Sequence, residues 1–349
     1  MPTLPAIDLK SGVILSPHVV ILGAGASAAT CPNGDRNGVR LPVMKDFISV
    51  VGLEDLLAKA GYGSDSKSNF EDVYDSLSRS GEHAEVLNDL EQRVYKYFAA
   101  LALPDNPTPY DYLLLGLRKK DVVATFNWDP LLVQAFRRNA SLRELPQMVF
   151  LHGNVGIGVC LEDRVKGFMG DTCHKCGKPL GPTKLLYPIG QKNYDSDLFI
   201  RGEWEILREA ISEAYMMQIF GYSAPRTDVE AKSIMHSAWD TNQTHELAEI
   251  EIVDLKSSEE VRQTWADFIV RQHYGVSDQI QHTWLFRHPR RSCEALAAAT
   301  LQNSPLPNNP YPTFTSIQEL QEWVSPLVAE EVEYENKGTP FSSRVPLGR

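Results

Sequence analysis

Two β-like runs, Val122–Phe126 and Met148–Leu151, flank a helical pattern within residues 121–154, and this spacing limits the fold more than any other feature. Strands joined through a helix run parallel, because the crossover returns the chain to the edge from which it started. Similar apolar runs occur at His18–Leu22 and Met217–Phe220, Ile250–Asp254 alternates as suits a strand near the sheet's edge, and helical patterns separate them. The alternation predicts an α/β fold, a Rossmann-like doubly wound parallel sheet. Ligands of such sheets bind outside the carboxyl ends of the strands. Reactive side chains collect there in this chain: Asn127, Trp128 and Asp129 follow the first run, and His152 follows the second.

At 349 residues the chain is long enough for one α/β domain with an added subdomain. A formal net charge of -11 opposes a main role in binding nucleic-acid phosphates, which takes clustered Lys and Arg. No apolar run reaches the about 18 residues of a membrane span. The opening MPTLPAIDLK lacks a basic region followed by an apolar core, so a secretory signal is not expected. Five unevenly spread Cys fit a reducing compartment, and the expected location is cytoplasmic.

In chain order, residues 1–17 read as a Pro-punctuated arm and 18–256 as the sheet domain. A strand-to-helix turn, Gly23-Ala24-Gly25-Ala-Ser27, follows the first run. Small residues at such a turn let backbone N–H groups approach a pyrophosphate at a helix N-terminus. Residues 31–41, rich in Gly, Asn, Asp and Pro, read as a long loop of the kind that forms lids. Helical stripes over about 44–104 predict an inserted helical subdomain, broken at GYGSDSKS. Residues 155–188 read as a loop-rich stretch that holds Cys160, Cys173 and Cys176. A helical extension is expected over 257–335 and a loose tail over 336–349.

Taken together, four motifs resemble the sirtuin-like NAD-binding family. Gly23-Ala-Gly25-Ala-Ser27 is similar to its first glycine motif, and Thr125-Phe-Asn127-Trp-Asp129 to its Thr-x-Asn-x-Asp signature. His152-Gly153 resembles its catalytic His-Gly, and Gly221-Tyr-Ser223 its Gly-x-Ser turn for the adenosine half. All four stand in family order. Asn69-Phe-Glu71, Tyr110-Asp-Tyr-Leu113, Lys192, the run Gly221–Asp228 and the large insertion further resemble the divergent bacterial branch that hydrolyses NAD in anti-phage defence. Two departures stand out. The Pro-Asp-Phe-Arg cofactor loop of deacetylating members has no clear counterpart in GDRNGVRLPVMKDF, where Arg36 and Arg40 are the available cations. Asp254 occupies the place of an Asn that meets the adenosine ribose, and a carboxylate there accepts from ribose hydroxyls.

The resemblance implies NAD as substrate, held by Gly23, Ala24, Gly25, Ser27, Thr125, Asp129, Gly221, Ser223 and Asp254. The bond from nicotinamide to ribose breaks through an oxocarbenium-like transition state, which needs a dry pocket and a base for the nucleophile. His152 suits the base, since an unperturbed imidazole titrates near pH ~6.5. Asn127 can orient water or ribose by donating and accepting at once. Asp129, followed by Pro130, is either a cofactor contact or a helix cap. The expected activity is NAD glycohydrolysis, giving nicotinamide and ADP-ribose. An NAD-dependent protein deacylase or ADP-ribosyltransferase and a non-catalytic NAD or ADP-ribose sensor are the alternatives. Control by homo-oligomerisation or by a regulatory partner protein is expected.

Cys160, Cys173 and Cys176 fall where the family carries a zinc ribbon. Only Cys173-His-Lys-Cys176 is an intact pair; Cys160-Leu-Glu-Asp163 has Asp where a second Cys would stand. Three thiolates with Asp163 or His174 make a zinc site; the other reading is a ribbon that has lost its metal.

Overall fold

The computed structural model describes residues 3–8, 12–62, 69–142, 144–189, 194–225, 228–244, 246–269 and 273–337. Lys192, Arg226, Thr227 and the stretch 338–349 lie outside the described residues. A two-strand ribbon, β1 (Ile7–Asp8) and β2 (Val13–Ile14), precedes the first sheet strand, β3 (His18–Leu22), and helix α1 (Ala24–Thr30). The helical insertion follows as α2 (Phe47–Val51), α3 (Glu54–Lys59), α4 (Phe70–Ser80) and α5 (Ala84–Ala99). Then come α6 (Pro109–Gly116), β4 (Val122–Thr125), α7 (Leu131–Asn139) and β5 (Gln147–Phe150). Three short strands, β6 (Ile157–Cys160), β7 (Val165–Phe168) and β8 (Gly181–Pro182), lead to α8 (Leu198–Glu213), β9 (Met216–Phe220), α9 (Val229–Asp240) and β10 (Glu249–Val253). The remaining chain forms α10 (Ser258–Thr264), α11 (Ala266–Ile269), β11 (His273–Ser277), α12 (Trp284–Arg287), α13 (Ser292–Thr300) and α14 (Ile317–Lys337).

Six parallel strands make one sheet in the order β11-β10-β9-β3-β4-β5. Counted by position in the chain from the β5 edge, this is 3-2-1-4-5-6, the doubly wound order in which the winding reverses beside the first strand. The expected α/β, Rossmann-like sheet is therefore what forms. Its inner strands β3 and β4 read as apolar runs because both faces are covered. Val20, Leu22, Val123 and Phe220 pack on one side with α2–α6, and Val19, Ile21, Val149 and Ile219 on the other with α8, α9 and α11. Among the described residues no helix is long and apolar enough to cross a membrane.

Several details differ from the sequence reading. The extension over 257–335 was read as helical, yet it supplies β11, the sixth strand, paired along β10 from Glu249↔His273 to Val253↔Ser277. Its sequence, HYGVS, is exposed to half-buried and has no apolar run to announce it. The stretch 155–188 is not merely loop: β7-β6-β8 form a small antiparallel sheet. Asn336 and Lys337, placed in the loose tail, close the last turn of α14. Within the loop at 31–41, Asp35 accepts from the N–H of Asn37, of Val39 and of Ala102 beyond α5 (each 2.8 Å).

Candidate functional site

The site grows from the carboxyl ends of β9, β3, β4 and β5, where the winding reverses. Two turns meet there with almost no space between them. Gly23 donates to the carbonyl of Phe220 (3.1 Å) and Gly25 to that of Gly221 (2.9 Å). A Cβ on Gly23 would lie 2.5 Å from Gly221 O, and one on Gly221, whose φ is +62°, would lie 2.3 Å from Ala26 N. The glycines are thus explained first by the close approach of two backbones. The N–H groups of Gly23, Gly25 and Ala26 are all taken by the chain itself. Ala24 is exposed at the rim.

From the end of β4, Asn127 reaches across to this turn. Its amide nitrogen donates to Gly23 O (2.8 Å) and Ser27 Oγ (2.9 Å), with Tyr110 Oη at 3.2 Å. Ser27 Oγ in turn donates to Asp129 Oδ2 (2.7 Å) and lies 2.7 Å from the Tyr110 hydroxyl. An amide has two donors and one acceptor oxygen. Here both donors are spent on the protein, and among the described residues Asn127 Oδ1 has no hydrogen bond. Thr125 holds the backbone below it, accepting from Asn127 N at 3.0 Å. Asp129 has both oxygens engaged, Oδ1 by the N–H of Leu131 (3.1 Å) and Oδ2 by Ser27. Burial raises its carboxyl pKa, and the Ser27 hydrogen bond only partly offsets this. It is a helix-start residue and a support for Ser27 in one.

His152 stands at the end of β5, the neighbouring strand. Phe126 meets its ring edge-on at 4.8 Å, and the Tyr194 ring stacks at 5.9 Å. Nε2 lies 3.3 Å from the Tyr194 hydroxyl and 3.9 Å from Asp228 Oδ1. Asp228 is buried, and the Tyr222 hydroxyl donates to its other oxygen at 3.0 Å. Tyr222 stacks on Phe126 at 4.1 Å, which closes the aromatic wall. Gly153, at φ +76°, turns the chain where a Cβ would lie 2.0 Å from Lys184 O. Asn154 joins the two strand tips, donating to Asn127 O (3.0 Å) and Asp129 O (2.6 Å).

The structure therefore gathers Gly23, Ser27, Asn127 and Asp129 into one network, with Gly25 and Gly221 packed behind it and His152 at the next tip. Ser223 is exposed on the β9 turn, and Asp254 follows β10, accepting from Lys256 N at 2.9 Å. Among the described residues neither bonds to Asn127 or His152. The centre is close to sealed: exposure is 2 % at Ser27, 9 % at Asn127 and 5 % at His152. Sequence reading did not single out Tyr194, Asp228 or Asn154 as individual site residues. Asp228 lies 76 positions from His152 in the chain, and only the fold brings them together.

The cysteines converge on the small sheet. Cys160 closes β6, and Cys173–Cys176 form a knuckle in which Gly177 N donates to Cys173 O (2.8 Å). One ligand atom from each of Cys160, Asp163, Cys173 and Cys176 lies within 4.8 Å of the others, and the Cys160 and Cys176 sulfurs are 3.8 Å apart. A tetrahedral ion with bonds of ~2.3 Å to sulfur needs an edge of ~3.8 Å. The four residues fit a structural zinc, with Asp163 in the place of the fourth thiolate.

No protein family and no curated protein matches the chain. Solved structures do. It is similar to a Sir2 bound to acetylated peptide (14% identity, 82% of this chain and 93% of that one, TM-score 0.38). It is also similar to a Sir2 homolog in complex with NAD (15% identity, 79% of this chain and 91% of that one, TM-score 0.37). These are likenesses of chain course at low identity, and the chemistry of the site rests on its own residues.

Proposed function

We propose that the chain is an NAD glycohydrolase that cleaves NAD to nicotinamide and ADP-ribose. The observation that carries this is Asn127: its donors are tied to Gly23 and Ser27, its Oδ1 is left as the acceptor, and His152 stands at the adjoining strand end. Water held by Asn127 Oδ1 adds to the anomeric carbon while the C–N bond breaks and its electron pair moves onto the nicotinamide nitrogen. The released proton passes to His152. Leaving-group charge is neutralised in that step, so the protein need only hold the ribose, exclude bulk water and receive a proton. The near-closed site suits an enzyme kept silent until triggered, and the role is that of an effector in bacterial anti-phage defence under control of oligomerisation or a partner protein. The defence role rests on the motif resemblance alone.

Chromatography of NAD incubated with wild type, Asn127→Ala and His152→Ala tests the reading. Turnover lost by about 10²–10⁴-fold in both folded variants supports it. NAD consumption that requires an acetylated peptide would replace it with a deacylase. For the Cys cluster we propose one zinc per chain. Metal analysis should find it in wild type and lose it in Cys173→Ser, whereas equal content in both excludes the site.

A further inference from the structure

We propose that Asp228 is the positioning residue for His152, a buried carboxylate that fixes the ring and stabilises the imidazolium formed when His152 takes the proton from water. This deepens the glycohydrolase reading and rests on it.

The geometry sets Asp228 apart from an ordinary helix-start aspartate. It occupies the N-cap position of α9, where a carboxylate normally accepts from the first free N–H groups, yet its side chain makes no such bond. It turns inward instead, is 4 % exposed, and stands 3.9 Å from Nε2 of His152. The Tyr222 hydroxyl holds one oxygen in place, and the Phe126–Tyr222 stack fixes Tyr222. A buried carboxylate beside an imidazole favours its charged form, and low polarity around the pair strengthens the effect. Among the described residues Tyr194 and Tyr222 touch the pair, with Glu230 at the start of α9 adding negative charge near Tyr194 and Glu71 of α4 near Tyr222. In the hydrolytic step water loses a proton to His152 as its oxygen bonds to the anomeric carbon, the C–N bond to nicotinamide breaks, and the proton rests on His152 rather than passing on to Asp228.

The test is Asp228→Asn in the full chain. The Asp228 side chain makes no cap hydrogen bond, and Asn is tolerated at an N-cap, so the helix start is preserved. Side-chain NMR titration, with the His152 signal identified among the nine His by its absence in His152→Ala, reads the protonation midpoint without needing turnover. Asp228→Asn should move that midpoint to lower pH by about one unit. The acid limb of the NAD cleavage profile should move with it, and kcat should fall at least about tenfold with KM little changed. Asp228→Glu should restore part of both, and Tyr194→Phe should shift the midpoint by less than half as much. An unmoved His152 midpoint in Asp228→Asn overturns the proposal. A midpoint shifted in Asp228→Asn, with a wild type that cleaves no NAD under any trigger, supports the pair and overturns the glycohydrolase reading instead.

Discussion

The two ends of the central sheet both bury polar groups, but of opposite kinds. At the carboxyl ends they are mostly an amide, hydroxyls and an imidazole, and one acceptor, Asn127 Oδ1, has no partner among the described residues. At the amino ends they are charges locked in pairs. Asp121, just before β4, accepts from the N–H of His18 (2.8 Å) and from Lys120 Nζ (2.7 Å). Arg118 pairs with Glu294 of α13 at 2.8 Å, and Arg290 and Arg291 converge on Glu331 of α14. Burial pushes the Glu331 carboxyl up, but the two guanidinium groups outweigh it and hold it below the usual range. The charges there are matched by opposite charges, although among the described residues His18 Nε2 is buried without a hydrogen bond, so this end reads as architecture that ties α13 and α14 to the sheet. The open acceptor lies at the other end, where we propose the reaction.

That contrast can be broken by mutation. The largest effect expected is on Asn127→Ala, with cleavage down by about 10²–10⁴-fold while the unfolding midpoint moves little; a variant that unfolds wholesale would place Asn127 with the architecture. Glu331→Gln should do the reverse. Removing one partner of a buried pair costs about 3–5 kcal/mol, read by urea unfolding, with kcat per folded molecule unchanged. Gly221→Ala tests whether the switch-point turns are as tight as they look. A side chain at positive φ against Ala26 N should cost about 1–3 kcal/mol and also lower activity by displacing the Gly23 turn.

The smallest effect concerns pH at the amino end. Burial, the largest influence, lowers the His18 pKa from 6.5 to about 4, against the opposing pull of Asp121. A depressed folded pKa means that the unfolded chain binds the proton first, so stability is full above pH ~6.5 and is lost as pH falls towards about 4. His18→Asn should flatten that part of the stability profile. An unchanged slope between those values would show that His18 is not what titrates.

How much was legible beforehand follows from what each feature depends on. β3, β4 and β9 were visible because strands covered on both faces must be apolar along their length. β11 was not, since an edge strand with exposed His273 and Tyr274 needs no such run. Asn127 and His152 could be singled out because each follows an apolar run at the sheet end where ligands bind and because their motifs stand in the order of the family they resemble. The Cys knuckle was legible from its spacing, but that Asp163 stands with the three sulfurs was decided only by the course of β6 and β7.

By itself, the order of residues determined the alternation of strands and helices, the parallel sheet, and which strand tips carry reactive side chains, because those properties are local and repeat at the period of each element. Tertiary structure alone decided that the Gly23 and Gly221 turns touch, that Asn127 spends its donors inward, and that Asp228 arrives beside His152. Those contacts join residues tens to hundreds of positions apart, where no period links one to the other and only packing determines who meets whom.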